Sequence, residues 1–404
     1  MRNKPRIRFK GFTEDWEQRK LSEVVTINPK TELPDEFKYV DLESVVGTNL
    51  LGFQVIKKEN APSRAQRLAS YGDVFYQTVR PYQRNNYLFE NIDKDMVFST
   101  GYAQLRSKLD SYFLLTLVQN DNFVKVVLDN CTGTSYPAIN GSELGKITVQ
   151  IPSSEVETNQ IGKVFRGIDK SITLHQRKLE KLKLAKKALL QKLFPKNGSK
   201  FPELRFKGFA DAWEQRKLSD LMEVTSVKRI HQADWTDSGV RFFRARDIVS
   251  SMNNEEIDNP VFISKDKYEE YSRVSGKVIE GDLLVTGVGT IGVPYLIKDT
   301  TPLYFKDGNI IWFKNNNTLN GSYFYYCFQN SYIQNQIYSA SGKGTVGTYT
   351  IENGKKTSIR YPSLKEQIKI GNLLDTMTTM ITLHQRKLDK LQDVKKGLLQ
   401  KMFV

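Results

Sequence analysis

Two stretches of the chain carry apolar residues at strictly alternating intervals of four and three positions. The first stretch runs from Ile161 to Leu193 and the second from Ile370 to Met402. This heptad spacing puts one apolar stripe along a helix and is typical of coiled coils. An amphipathic helix packed on a globular core is the alternative. Two copies of equal length with the same polar exceptions favour helices that pair with each other.

The direction of the pair follows from what precedes each helix. Each follows a full globular block, so a parallel pair would crowd both blocks at one end. We therefore predict an antiparallel pair, with Ile161 near Met402 and Leu193 near Ile370. About 33 paired residues at roughly 1.5 Å each make a rod of about 50 Å. Such a rod would separate the two blocks by more than one turn of DNA.

Each stripe contains one histidine and one lysine, His175 and Lys186 in the first and His384 and Lys395 in the second. We expect the histidines to be tolerated by packing. The lysines are expected to extend outward from the seam and keep their ammonium groups in water.

The chain contains an internal sequence repeat. RFKGFTEDWEQRKLSEV begins at Arg8 and RFKGFADAWEQRKLSD at Arg205, a shift of 205 − 8 = 197. ITLHQRKLEKL begins at Ile172 and ITLHQRKLDKL at Ile381, a shift of 381 − 172 = 209. A Gly-Asp pair recurs at the second shift, as Gly72-Asp73 and Gly281-Asp282. The near-identical parts are expected to do one job twice, and the divergent parts to do related jobs on different targets.

Between the repeats lie two variable blocks that mix short β-rich runs with polar and basic loops. Each ends in a short strand that leads to a proline, ITVQIP at Pro152 and TSIRYP at Pro362. The predicted fold class is α+β, with two pseudo-symmetric globular domains separated by a long antiparallel two-helix coiled coil. The predicted segments are a first globular domain at 1–156, a central helix at 157–198, a second globular domain at 199–362 and a C-terminal helix at 363–404.

The charge of the chain points to an anionic partner. Lys and Arg total 60 against 45 Asp and Glu, a formal charge of +15, and nucleic acid is the commonest partner of such a surplus. A basic protein with no nucleic-acid role is the alternative. Only Cys131 and Cys327 are present, which predicts neither a disulfide framework nor a zinc cluster. With no apolar signal segment or bilayer-length run, a cytoplasmic location without membrane contact is expected.

Candidate DNA contacts in the first block lie in two loops. The stretch from Ser63 to Phe89 interleaves arginines with polar and aromatic residues, and a second loop runs from Thr132 to Ser142. Arginine can pair with guanine and asparagine with adenine, and both can hold phosphates. The alternative is that the arginines serve acidic neighbours such as Asp73. The candidates are Arg64, Arg67, Thr78, Arg80, Tyr82, Arg84, Asn85, Asn86, Ser135 and Tyr136.

The second block offers a corresponding set. Glycines in the loop from Ser341 to Gly354 would let backbone amides approach phosphates. The TGVGTIG run from Thr286 lacks the GK[ST] of a phosphate-binding loop and is interpreted as a turn. The candidates are Arg244, Arg246, Thr290, Lys306, Asn309, Lys343, Thr345 and Tyr349, with Arg241 as a further basic residue.

Sequence motifs of catalysis are missing. We find no Asn/Asp-Pro-Pro-aromatic run of an amino-methyltransferase, no nuclease carboxylate–lysine cluster, no Walker motif and no GxSxG. We therefore expect a non-catalytic chain with no catalytic residue, no metal ligand and no cofactor of its own. An enzyme whose active site these motifs do not reveal, such as a nuclease, is the alternative.

Over essentially its whole length the chain resembles the specificity subunits of type I restriction–modification systems. The resemblance rests on the FKGF…WEQRKLSE openers at Phe9 and Phe206, GDVFYQTVRPY, GDLLVTGVGTIG, and the HQRKLEKLKLAKKALLQKLF-type tails. The opener–variable–helix order, repeated twice, is its most specific feature. One departure is the helix entry, which is ETNQIG from Glu157 but EQIKIG from Glu366.

The resemblance implies a sequence-specific DNA-binding subunit. Each variable block would be a target recognition domain for half of a bipartite site on double-stranded DNA. The helices would bind two modification subunits that methylate adenine N6 with S-adenosylmethionine. Restriction/translocase subunits using ATP and Mg²⁺ would join that core and cleave DNA. A stand-alone two-site DNA-binding regulator or a recombination accessory protein is the alternative.

Overall fold

The computed structural model describes residues 4–91, 95–133, 135–196, 198–253, 255–342 and 347–404. The chain forms two compact units. Unit 1 consists of Met1–Arg177 with Gln385–Val404, and unit 2 consists of Lys178–His384. Each unit therefore contains one half of each long helix. We call the sheets and short helices of unit 1 head 1, and those of unit 2 head 2. The mixed helix and strand content confirms the predicted α+β class.

Head 1 is built from short strands and small helices. Its strands are β1 (Glu17–Lys20), β2 (Val25–Ile27), β3 (Glu36–Val40), β4 (Val45–Val46), β5 (Asn49–Leu50), β6 (Gln54–Lys57), β7 (Ala65–Leu68), β8 (Asp73–Gln77), β9 (Tyr87–Leu88), β10 (Met96–Ser99), β11 (Tyr102–Ser107) and β12 (Thr148–Ile151). Its helices are α1 (Leu21–Val24), α2 (Ser111–Gln119), α3 (Asp121–Asp129) and α4 (Gly141–Lys146), and the first long helix is α5 (Glu155–Lys192).

The strands of head 1 form two four-stranded sheets and two small pairs. The sheet orders are β6-β3-β10-β7 and β2-β11-β8-β9, and the pairs are β1-β12 and β4-β5. β10 pairs with β3 in parallel and with β7 antiparallel. The repeated opener thus becomes strand β1, whose partner β12 leads into the long helix.

Head 2 repeats this plan. Its strands are β13 (Glu214–Lys217), β14 (Glu223–Thr225), β15 (Trp235–Thr236), β16 (Val240–Phe243), β17 (Val261–Ile263), β18 (Leu283–Thr286), β19 (Pro294–Leu296), β20 (Leu303–Phe305), β21 (Ile310–Lys314) and β22 (Ser358–Tyr361). Its helices are α6 (Leu218–Leu221), α7 (Ala245–Asn253), α8 (Lys265–Ser275), α9 (Gly321–Gln329), α10 (Ser331–Ala340) and α11 (Ile351–Lys356), and the second long helix is α12 (Leu364–Met402).

The four-stranded sheets of head 2 correspond to those of head 1, except that one of them has β15 at one edge in place of β7 at the other. β13 pairs with β22, and the four-stranded sheets have the orders β14-β21-β18-β19 and β15-β17-β16-β20. β16 pairs with β20 in parallel, as β3 does with β10. β15, however, covers the outer side of β17, and the equivalent strand β6 of head 1 is the last strand of its sheet.

Each unit has its main apolar core where a head meets the long helices. In unit 1, Ile161 and Met402 lie in one buried cluster, and in unit 2 Leu193 and Ile370 share another. Both pairs were predicted from full antiparallel overlap. Within each unit, the beginning of one long helix therefore packs beside the end of the other, which confirms the predicted direction.

The long helices differ slightly from their predicted bounds. α5 ends at Lys192, whereas the central helix was predicted to extend to residue 198. Pro195 explains the earlier end, because proline lacks the N–H that a helix needs and restricts the residue before it. α12 runs from Leu364 to Met402 and matches the prediction of 363–404 within two residues at each end.

Candidate nucleic-acid interface

The repeated Gly-Asp motif anchors the strand that leads to the candidate loop in each head. In head 1 the buried Asp73 carboxylate accepts hydrogen bonds from the Arg106 guanidinium at 2.9 Å and from Gln104 Nε2 at 2.7 Å. In head 2 the buried Asp282 accepts from Trp312 Nε1 at 2.9 Å and from the Asn315 amide at 2.9 Å. Burial raises the pKa of Asp282, and these hydrogen bonds oppose the rise. The motif therefore supports the fold.

The segment of head 1 that follows β8 forms hydrogen bonds with two other loops, one at Gly101 and one at Pro137 to Ile139. Thr78 Oγ1 donates to the Gly101 carbonyl at 2.8 Å, and the Thr78 carbonyl accepts from the Ile139 amide at 3.0 Å. The Arg80 amide donates to the Pro137 carbonyl at 2.8 Å. The two candidate DNA-binding loops of head 1, predicted separately from the sequence, are thus neighbours at one end of the sheet.

This junction presents a basic and aromatic surface. Arg80 adopts a left-handed backbone with φ of 55°, and its guanidinium lies 4.5 Å from the centre of the Tyr136 ring. The ring itself is 63% exposed. Arg64 is exposed, and its carbonyl accepts from the Thr100 amide at 2.8 Å. This hydrogen bond places Arg64 beside Gly101, to which Thr78 is bonded. Loop surface 1 is the set of Arg64, Arg80, Tyr82, Ser135 and Tyr136, of which Tyr82 and Ser135 are also exposed.

Other head 1 candidates are engaged inside the head. Arg84 forms an ion pair with Asp121 at 2.6 Å. Asn85 Oδ1 accepts from the Gly47 amide at 2.8 Å, and the buried Asn86 accepts from the Gln77 amide at 2.8 Å. Arg84 and Asn85 stay half-exposed, whereas Asn86 and Thr78 are buried and support the surface from inside the head.

Arg67 is half-buried on β7. Burial lowers the pKa of its guanidinium, and within the described residues its buried Nε has no hydrogen-bond partner. Arg84 thus has an acidic neighbour in Asp121, whereas Asp73 pairs with Arg106.

Head 2 uses the same backbone with different side chains. Gly287 stands where head 1 has Thr78, since its amide donates to the Asn309 carbonyl and its carbonyl accepts from the Tyr349 amide, both at 2.8 Å. A Cβ on Gly287 would lie 2.5 Å from the Tyr349 carbonyl oxygen, so the close approach requires glycine. Gly289, with φ of 74°, takes the place of Arg80. The TGVGTIG run is therefore a turn, as predicted.

The candidates of head 2 divide as those of head 1 do. Thr290 is exposed, Arg246 is exposed beside Asp247, and Lys306 and Asn309 are half-exposed near the Gly287 turn. These four residues form loop surface 2. Lys343 and Thr345 lie outside the described residues, although Ser341 and Tyr349 on either side are described.

Two head 2 candidates are held inside the fold. Arg244 bonds both Asp247 carboxylate oxygens, at 2.9 and 3.0 Å. Tyr349 is buried, which raises the pKa of its phenol, and the hydrogen bond between its hydroxyl and Thr357 Oγ1 at 2.7 Å opposes the rise. Its burial argues against direct contact between this ring and DNA.

The openers join the heads to the helices through residues that sequence reasoning missed. Arg8 forms a two-bond ion pair with Glu157 at 2.6 and 2.8 Å, and Arg205 does the same with Glu366 at 2.8 Å for both bonds. Both glutamates are buried. The sequence repeats could have revealed these pairs. The arginines are 197 positions apart and the glutamates 209, which are the two shifts of the repeats.

In each unit, an asparagine of the head also bonds the C-terminal end of the other long helix, and this contact is repeated between the units. Asn120 Nδ2 donates to the Leu399 carbonyl at 2.9 Å, and Asn330 Nδ2 donates to the Leu190 carbonyl at 2.7 Å. Each asparagine also begins a short helix of its head by accepting an amide hydrogen bond. These bonds satisfy carbonyls in the last turn of each long helix that would otherwise lack partners.

The seam lysines do not extend into water as predicted. Lys395 forms an ion pair with Asp169 at 2.7 Å, and Asp169 also accepts from the Tyr112 hydroxyl at 2.8 Å. Lys186 lies 5.3 Å from the centre of the Tyr326 ring, whose hydroxyl donates to Asp375. Burial lowers the pKa of Lys186 and the charge of Asp375 opposes the fall. Head and helices thus share a Lys–Asp–Tyr group in each unit.

Comparison with known proteins identifies the repeated element. Residues 13–184 and 210–393 each match the family described as type I restriction modification DNA specificity domain. The chain belongs to this family. The family matches both halves of the chain, so the internal repeat is a duplication of the specificity domain.

Named relatives agree with the family. A putative type I restriction enzyme specificity subunit, S.HindORF215P of Haemophilus influenzae, is 25% identical over 69% of this chain and 67% of its own length. The MjaVIII specificity subunit of Methanocaldococcus jannaschii is 22% identical over 76% of this chain and 73% of its own length. The putative MjaX specificity subunit of the same organism is 21% identical over 96% of this chain and 92% of its own length.

Solved structures share the fold. The type I restriction–modification S subunit from M. genitalium covers 99% of both chains at 14% identity, with a TM-score of 0.65. A chain from a structure on complex assembly and conformational transition of the type I R-M system covers 98% of this chain and 99% of its own, at 20% identity and a TM-score of 0.50.

The described residues show neither a metal site nor a membrane span. No group of three or more His, Cys, Asp or Glu side chains there is placed to hold a metal ion. Within the same residues, no helix is both long and apolar enough to cross a membrane.

Proposed function

We propose that this chain recognises a bipartite sequence on double-stranded DNA and directs adenine-N6 methylation by partner subunits. Head 1 would recognise one half-site through loop surface 1, and head 2 the other through loop surface 2. The chain itself would be non-catalytic and would act in the cytoplasm, where its DNA and its partners are.

The observation that carries the proposal is the contrast between the repeated domains. The two specificity domains have the same junction with the helices, whereas their loop surfaces carry different side chains. Arg80 stacked on Tyr136 in head 1 corresponds to Gly289 in head 2. A half-exposed guanidinium held by an aromatic ring is suited to pair with a guanine edge or to hold a phosphate. Unequal surfaces suit two different half-sites.

The chemistry would belong to other chains. We propose two modification subunits that use S-adenosylmethionine, bound along α5 and α12, and restriction/translocase subunits that use ATP and Mg²⁺. One support is the related complex, whose description concerns assembly of the type I system.

Co-expression with a modification subunit, followed by mapping of methylated adenines in host DNA, tests the proposal. We expect a split motif with a fixed gap that is methylated only when both chains are present. Methylation without this chain, or a continuous short motif, would favour a stand-alone regulator or recombination accessory protein. Turnover of DNA by the purified chain with Mg²⁺ or S-adenosylmethionine would favour an enzyme.

The helix pair is proposed to set the gap between the half-sites. Deleting one heptad from both α5 and α12 should shorten the methylated motif only in its non-specific gap, because the loop surfaces are unchanged. The deletion is made between the junctions, so that the Glu157 and Glu366 ion pairs are kept. An unaltered gap in a folded, methylating complex would refute this part of the proposal.

A further inference from the structure

Each head has a buried polar residue at the end of the strand that carries the Gly-Asp motif. In head 1 it is Gln77, the last residue of β8, and in head 2 it is Thr286, the last residue of β18. The two positions are 286 − 77 = 209 apart, which is also the shift of the Gly-Asp motif. Buried polar side chains are almost always hydrogen-bonded, so the partners of these two indicate what they do.

Gln77 holds the loop that connects β8 to β9, residues 78–86. Its Nε2 donates to Gln83 Oε1 at 2.8 Å, and its Oε1 accepts from the Asn85 amide at 3.2 Å. Its backbone amide donates to Asn86 Oδ1 at 2.8 Å. One buried residue therefore fixes the part of the loop that lies between Arg80 and β9.

This loop needs such support because its backbone is strained. Arg80 and Arg84 both have φ of 55°, a left-handed conformation that residues other than glycine rarely adopt. They stand on either side of the short turn Pro81–Gln83. Backbone of this kind persists only where the surrounding structure holds it, and it is concentrated at functional sites. The strained turn is also the one that places the Arg80 guanidinium on the Tyr136 ring.

Thr286 holds the equivalent loop of head 2, residues 287–293, with a shorter side chain. Its Oγ1 donates to the carbonyl of Thr290, which belongs to loop surface 2, and accepts from the Val293 amide at 2.9 Å. The left-handed positions of this loop are Gly289 and Gly292. Glycine adopts that conformation without steric cost, which fits the smaller support that Thr286 gives.

We propose that Gln77 and Thr286 are positioning residues for DNA recognition, each fixing the loop that contacts one half-site. Both side chains are buried, so neither contacts DNA itself. Gln77 acts through Arg80, and Thr286 acts through Thr290. The inference rests on the proposed recognition of a bipartite site, and it adds which interior residue gives each loop surface its shape.

Hydrogen exchange of the full chain without DNA tests whether these residues fix their loops. Gln77→Met keeps the side-chain size and removes its hydrogen bonds, and Gln83 and Asn85 reach solvent and can bond water instead. We expect exchange within residues 78–86 to become about tenfold faster, with residues 287–293 unchanged. Thr286→Val should give the reverse. Unchanged exchange within residues 78–86 would overturn the proposal, whether or not the chain binds DNA.

A double-mutant cycle tests whether Gln77 acts on DNA through Arg80. The full chain with its modification subunit, carrying Gln77→Met, Arg80→Ala or both, is titrated with a duplex that contains the mapped split motif. Gln77→Met should weaken binding about tenfold in the presence of Arg80 and much less in its absence, because the two act as one unit. Additive losses would overturn the proposal. Thr286→Val should weaken binding only when the half-site of head 2 is intact.

Gln104→Met is the matched control. Gln104 is another buried glutamine of head 1, and its side chain bonds Asp73 and the Leu68 carbonyl instead of the loop. Its replacement should lower the thermal stability of head 1, and any loss of DNA binding should add to that of Arg80→Ala. Coupling to Arg80 as strong as that of Gln77→Met would show that general loosening of head 1 is the cause and would overturn the proposal.

Two further outcomes keep the tests separate. If Gln77→Met does not fold, Gln83→Ala replaces it in the exchange measurement, because it removes the same hydrogen bond from an exposed residue. If no split motif is methylated, the proposed function fails, and the exchange measurement still decides whether Gln77 and Thr286 fix their loops.

Discussion

The junctions between heads and helices are the same in both units, whereas the loop surfaces at the ends of the sheets differ. Arg8 with Glu157 repeats as Arg205 with Glu366, to within 0.2 Å in both hydrogen bonds. At the loops, a stacked arginine in head 1 is matched by glycine in head 2. A duplicated protein thus keeps the contacts that hold its parts together and varies the surface that meets the target.

The largest expected effect is on the buried ion pairs. Glu157→Gln should destabilise unit 1, and Glu366→Gln unit 2, each by about 3–5 kcal/mol, because the half-buried arginine loses its counter-charge. Denaturant unfolding measures both. Glu203→Gln is the control, since Glu203 forms its ion pairs at the exposed surface. A large loss in one unit with none in the other would contradict the equivalence of the junctions.

The helix glycines beside the junctions should respond next most strongly. A Cβ on Gly162 would lie 2.0 Å from Asp110 Oδ1, and one on Gly371 would lie 2.8 Å from Asn320 Oδ1. Asp110 and Asn320 each cap a head helix, so neither can withdraw freely. We expect Gly162→Ala and Gly371→Ala to destabilise by about 1–3 kcal/mol, with the larger loss at Gly162.

Gly167→Ala is the control for this pair of substitutions. Gly167 lies on the same helix with nothing within 4 Å of its added Cβ, so alanine there should stabilise by up to about 1 kcal/mol. Thermal unfolding of the three variants decides the matter. Destabilisation by Gly167→Ala equal to that of Gly162→Ala would show that the contact with Asp110 is not the cause.

The difference between the loop surfaces predicts a change in DNA affinity on one side only. Arg80→Ala should weaken binding to duplex containing the half-site of head 1 by about 1–3 kcal/mol, or roughly fivefold to 150-fold. Arg246→Ala is the matched change in loop surface 2. Titration against duplexes with either half-site scrambled separates the two. Equal losses from Arg80→Ala on both scrambled duplexes would contradict assignment of Arg80 to one half-site.

The smallest effect is expected where the helix ends are already alike. KKALLQKLF from Lys186 and KKGLLQKMF from Lys395 differ only at Ala188 against Gly397 and at Leu193 against Met402. Gly397→Ala with Met402→Leu makes them identical, and stability should change by less than about 1.5 kcal/mol, because leucine keeps the volume of Met402 in the core and a Cβ on Gly397 meets nothing within 4 Å. Unfolding of unit 1 by this double change, seen in thermal denaturation, would show that the two ends are not interchangeable.

Sequence reasoning was accurate where a pattern was periodic or repeated. The heptad stripe, the direction of the pair and the contacts of Ile161 with the Met402 cluster all followed from spacing. It did not reveal which neighbours single polar side chains bond within the fold. Arg84, Asn86 and Arg244 have the composition of DNA-binding residues, yet each bonds a neighbour inside its own head.

The sequence by itself determined the duplication, the paired helices and the two loops of head 1, because these depend on period and order along the chain. Only the tertiary structure decided which arginines remain exposed, where Lys395 places its charge and which sheet edge is left uncovered. Those outcomes depend on partners far away in sequence, such as Asp121 for Arg84 and Asp169 for Lys395. A side chain's chemistry states what it can bind, and the packing around it decides what it does bind.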